Sequence, residues 1–93
     1  MGWKNKNGTS ERSCKCGSWK EHWLNFSNQN WPSECAYANC NNKAELGAHI
    51  YDTKDHKEYI VPACYLCNKL DTEFSLKPFT RLVSANKRET CEK

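Results

Sequence analysis

Cys35-x4-Cys40 and Cys64-x2-Cys67 are two close cysteine pairs, each able to present two thiolates from one turn of chain. A tetrahedral zinc site asks for that arrangement, with soft ligands at about 2.3 Å delivered in pairs by two knuckles. The 23 residues between Cys40 and Cys64 are enough for a hairpin that brings the pairs together. Cysteine can also serve as a small buried hydrophobe. Seven cysteines are more than packing calls for in a chain that is only 38% hydrophobic. A redox role for Cys64 and Cys67 lacks the βαβ pattern of thioredoxin-like folds. The spacing therefore predicts structural zinc on Cys35, Cys40, Cys64 and Cys67.

Three cysteines remain: Cys14, Cys16 and Cys91. Cys14-Lys15-Cys16 is poorly spaced for a disulfide with itself and suits a metal or a partner elsewhere. His22 lies close enough to join the pair. The reading is a second zinc on Cys14, Cys16, His22 and Cys91 that ties the two ends of the chain together. The plainer role for His22 is a surface or half-buried helix residue beside Trp19 and Trp23, and Cys91 can equally be a spare thiol.

Elements able to position these ligands can be read from the pattern. Ser18-Trp19-Lys20-Glu21 is a capping box, and Trp19, Trp23 and Phe26 form an apolar stripe at i, i+4 and i+7. A helix is expected from there to the Asn-rich stretch 28–30, before Pro32. Residues 46–51 and 58–63 read as strands joined into a hairpin by the polar link 52–57. A short helix follows from Cys64 or Tyr65 to about Glu73, and 79–84 reads as a further strand. Residues 1–13, polar and aperiodic, are expected to be a flexible lead-in, with 14–93 a single zinc-binding domain. Knuckle, hairpin, then a helix carrying the last two ligands is the order of a treble clef. The fold expected is thus a small α+β, zinc-stabilised treble clef with an added N-terminal helix.

Bulk properties fit that picture. Ninety-three residues with a mean hydropathy of -0.95 bury little apolar area, so a metal staple is expected. No apolar run follows Met1 and no segment approaches the length of a membrane span, which points to a cytoplasmic protein with reduced thiols. The formal charge of +3 overstates the basic character. A tetrathiolate zinc carries about -2 and a three-thiolate, one-imidazole zinc about -1, which brings the balance close to neutral. A basic footprint for nucleic acid has to be local, from Lys4, Lys6, Arg12, Lys15 and Lys20 or from Lys77, Arg81, Lys87 and Arg88.

His49, in Gly47-Ala48-His49-Ile50, precedes Tyr59-Ile60-Val61-Pro62-Ala63-Cys64-x-x-Cys67-Asn68. Over about 35–72 the chain resembles the HNH/endonuclease VII-like group of ββα-metal nucleases. The resemblance implies His49 as the general base that activates water and Asn68 as a ligand of a single Mg²⁺ or Mn²⁺ ion. Ala48 stands where the group carries a metal-binding residue, so Asp52, Asp55 or His56 would have to supply that ligand. The motif's middle Asn falls around Glu58 or Tyr59. The alternative for His49 is a histidine hydrogen-bonded inside the hairpin, or a zinc ligand. The chain also looks like small bacterial and phage proteins of no established activity that share Cys14-x-Cys16-Gly17-Ser18-Trp19, Gly47-Ala48-His49 and Ile60-Val61-Pro62-x-Cys64.

The function read from these features is binding rather than catalysis, to a protein partner or to nucleic acid. Trp3, Trp19, Trp23, Trp31, Tyr51 and Tyr65 are the candidates for stacking or hot-spot contacts, although Trp19 and Trp23 also suit a core. A small phage-type inhibitor of a host enzyme or defence complex fits the size. The alternative is an HNH-like, metal-dependent endonuclease with His49 as base.

Overall fold

The Ser18 hydroxyl accepts a hydrogen bond from the amide of Glu21 at 3.2 Å, and Ser18 itself is extended, as an N-cap should be. These features come from a computed structural model, which describes residues 2–6 and 18–85. Helix α1 runs Trp19–Ser27 and stops at Asn28, whose φ of 59° is the left-handed cap expected of an Asn. Its buried side chains are Trp19, His22, Trp23 and Ser27, while Phe26 packs on His22 and stays 37% exposed.

The sheet comprises β1 (Trp3–Asn5), β2 (Leu46–Asp52), β3 (Glu58–Ala63) and β4 (Val83–Ser84), all antiparallel and in that order. Its central hairpin pairs Ala48 with Val61 and His49 with Ile60, and this register decides what each face carries. Ala48, Ile50, Val61 and Ala63 point to one side and pack with Cys35, Ala36, Tyr37, Cys64 and Phe74. Ile60 and Val83 point to the other, against Trp19, Trp23 and Ala85. Helix α1 covers that second face at close range. A Cβ placed on Gly47 would lie 2.6 Å from the carbonyl carbon of Trp19, so the helix backbone rests directly on β2. The short helix α2 (Tyr65–Asn68) lies on the first face, where Asn5, paired opposite Ile50, donates to the carbonyl of Cys67. Among the described residues no helix is long and apolar enough to cross a membrane.

The hairpin and α1 lie where the sequence pattern puts them. Three elements differ. Trp3–Asn5, assigned above to a flexible lead-in, forms an edge strand on β2, with Trp3 exchanging backbone hydrogen bonds with Phe74. Its Trp3 ring meets Tyr59 edge-on at 5.8 Å, a contact that composition cannot foretell. Helix α2 is a single turn and does not reach Glu73, because it buries none of its side chains and so lacks the packing that sustains a helix. The strand expected over 79–84 shrinks to Val83–Ser84: Phe79 sits at φ 66° and the Thr80 hydroxyl folds back onto the carbonyl of Lys77 at 2.7 Å.

Candidate metal centre

The first knuckle is built by backbone pairing on either side of it. The amide of Cys35 donates to the carbonyl of Asn42 at 2.9 Å, and the amide of Ala36 to that of Pro62 at 2.9 Å. Between them the chain turns through Asn39 at φ 64°, and the amide of Cys40 donates to Tyr37 at 3.2 Å. The Lys77 ammonium holds the carbonyl of Cys40 at 2.6 Å. The second knuckle is the start of α2. Cys64 is its N-cap, and its sulfur accepts from the amide of Cys67 at 3.4 Å. The β2–β3 hairpin, extended by the amide of Glu45 on the carbonyl of Ala63 at 2.8 Å, brings the knuckles together.

The result is a cluster in which the Sγ atoms of Cys35, Cys40, Cys64 and Cys67 all lie within 4.8 Å of one another. None of them is in a disulfide. Sulfurs bound at about 2.3 Å around a tetrahedral zinc stand roughly 3.8 Å apart, and Cys40 and Cys64 are 3.7 Å apart. The donor set and the spacing therefore fit a metal ion. Cys35 and Cys64 are buried, and the Asn42 carboxamide approaches the Cys64 sulfur at 3.8 Å.

The thiols differ in character. Burial pushes Cys64 up, but the amide of Cys67 and the side chains of Cys67, Asn42 and Cys40 more than offset it and leave the thiol at about 7. Burial raises Cys35. Burial and the hydrogen bonds it shares with Cys40 and Cys64 raise Cys67. The Tyr37 hydroxyl is likewise raised by burial and by the sulfurs around it. A thiol raised in this way gives up its proton when a metal takes its place.

Of the second ligand set, Cys14, Cys16 and Cys91 lie outside the described residues. His22 is fully buried, more deeply than a surface helix residue, and its Nε2–H donates to the carbonyl of Ser84 at 2.8 Å. Desolvation lowers its basicity, which the Ser84 carbonyl partly restores.

The two residues named by the nuclease resemblance sit on different elements, β2 and α2. His49 is buried on the α1 face, edge-on to Trp19 at 5.1 Å, and its Nε2 meets a Glu58 carboxylate oxygen at 2.6 Å. Asn68 belongs to α2, on the opposite face. Asp52 and Asp55 accept from the amides of Lys54 and Lys57 and so close the hairpin turn, while His56 stacks on Tyr51. Among the described residues the four cysteines are the one group of three or more His, Cys, Asp or Glu side chains within common ligand reach.

Asn5, Tyr37, Asn42 and Lys77 also shape the centre and were not read from sequence. Asn42, two positions beyond Cys40, could have been flagged by proximity; Asn5 reaches the centre across 62 positions with no local signal. Compared with known proteins, the chain matches no family model, no curated protein and no solved structure.

Proposed function

We propose that this protein is a zinc-stabilised binding module with treble-clef order, in which zinc on Cys35, Cys40, Cys64 and Cys67 is structural. The observation that carries the reading is the four-sulfur cluster. Four thiolates fill a tetrahedral zinc and leave no position for substrate, which is the mark of a structural site. Such a centre needs reduced thiols, in keeping with a cytoplasmic setting. Knuckle, hairpin and α2 follow one another in treble-clef order.

A second zinc is part of the proposal. With its Nε2–H on Ser84, His22 would ligate through Nδ1, the tautomer that a backbone carbonyl commonly fixes for a metal-bound histidine. Cys16 lies two positions before Ser18, and Cys91 six positions past Ala85, a reach of about 20 Å when extended. Ser18 and Ser84 both meet His22, so the two ligand-bearing ends depart from its surroundings.

The work of the module is binding. Tyr65, Leu66, Leu70 and Phe79 are exposed, Leu66 to 71%, while Trp19 and Trp23 are spent in the core. Exposed apolar side chains on a nearly neutral surface favour a protein partner over nucleic acid. The placement of His49 on the α1 face of β2, with Asn68 on α2, supports binding over a ββα-metal nuclease. Protein purified without added metal should contain zinc by elemental analysis and should leave plasmid intact in Mg²⁺ or Mn²⁺. Metal-dependent nicking that disappears in His49→Ala would overturn the binding reading.

A further inference from the structure

Asn5 is 9% exposed, and every polar atom of its side chain is engaged at the metal centre. Its Nδ2 donates one hydrogen to the carbonyl of Cys67 at 2.9 Å and the other to that of Leu70 at 2.8 Å. Its Oδ1 accepts from the hydroxyl of Tyr37. Tyr37 in turn stacks on Phe74 at 4.1 Å within the apolar cluster that surrounds Cys35 and Cys64. These contacts matter because α2 is one turn long and has no fully buried side chain. Cys67 packs only partly against the core, and Tyr65 and Leu66 are exposed, so apolar packing holds this turn weakly.

We infer that Asn5 is a positioning residue of the metal centre: its carboxamide pins the Cys67 turn to the sheet and thereby sets how long the centre retains its metal. The inference rests on the zinc reading above. A ligand leaves a metal by local opening, and the turn with the least packing opens first. Fixing its carbonyls from an edge strand closes that route. The same bonds make the docking of β1 and the integrity of the centre two aspects of one arrangement. Hydrogen-bonding partners outside the ligand set commonly change metal affinity about 10–100-fold when removed.

The test is the rate at which the full-length, zinc-loaded protein gives up metal to an excess of a colorimetric chelator, read beside its urea midpoint. Asn5→Ala should release zinc about tenfold faster or more. Asn5→Asp keeps acceptors for Tyr37 but removes both donors, and should do the same even if Asn5→Ala fails to fold. Tyr37→Phe should lie between these and wild type. Lys4→Ala, paired with Tyr51 on the other face, should match wild type. Replacing zinc with Co²⁺ gives a second reading, since a loosened Cys67 shifts the cobalt–thiolate absorption and a fault confined to strand pairing does not. Wild-type release rates and an unshifted cobalt spectrum in Asn5→Asp would overturn the inference while leaving the zinc centre standing. Wild-type protein that takes up neither zinc nor cobalt would overturn the zinc reading beneath it.

Discussion

At the scale of single residues, the centre was legible because four thiols in two pairs carry their chemistry in their spacing. Cys35, Cys40, Cys64 and Cys67 converge as that spacing asks. The supporting residues were not legible, because Asn5 and Lys77 act from far along the chain and resemble ordinary surface residues in the sequence. His49 is a different case. Its motif is visible in sequence, but strand alternation turns it toward Trp19 and away from α2. Two outcomes belong at this scale. Cys64→Ser removes a buried ligand and should abolish zinc binding at the centre and unfold the domain, measured by elemental analysis and near-UV circular dichroism. Gly47→Ala forces a methyl against the backbone of Trp19 and Lys20, which cannot yield as a side-chain tip can. It should cost about 1–3 kcal/mol in urea denaturation without changing zinc content.

At the scale of elements, strong local signals gave correct boundaries and tertiary contacts supplied the rest. The capping box and the left-handed Asn28 fix both ends of α1 from within a few residues. The hairpin has alternation and a polar turn to mark it. Strand β1 has neither; it is ordered by Phe74, Tyr59 and the Cys67 and Leu70 carbonyls that Asn5 holds, none of them a neighbour in sequence. Ser18→Ala tests the local half of this account. Loss of the cap should lower stability by ~1 kcal/mol through α1 while leaving the zinc content at the four-cysteine centre unchanged.

At the scale of the whole molecule, the proposed zinc would stand in for a core too small to hold the fold alone. Two apolar clusters lie on opposite faces of a four-stranded sheet, and the sulfur centre borders one of them. Zinc binding to small cysteine-rich domains contributes roughly 10 kcal/mol or more, comparable to the whole stability of such a domain. Strong chelation under reducing conditions should therefore abolish the cooperative thermal transition. An unchanged transition would show that the apolar clusters suffice. Truncation after Arg88, or Cys91→Ser alone, should release one of two zincs and spare the other. Full zinc content in both variants would make Cys91 a spare thiol. The most direct test of the central claim is zinc-edge X-ray absorption on a variant carrying Cys14→Ser, Cys16→Ser and Cys91→Ser, which isolates the first centre. The account predicts one zinc per chain with four sulfur neighbours at about 2.3 Å; a first shell containing nitrogen or oxygen, or no bound metal in folded protein, would contradict it.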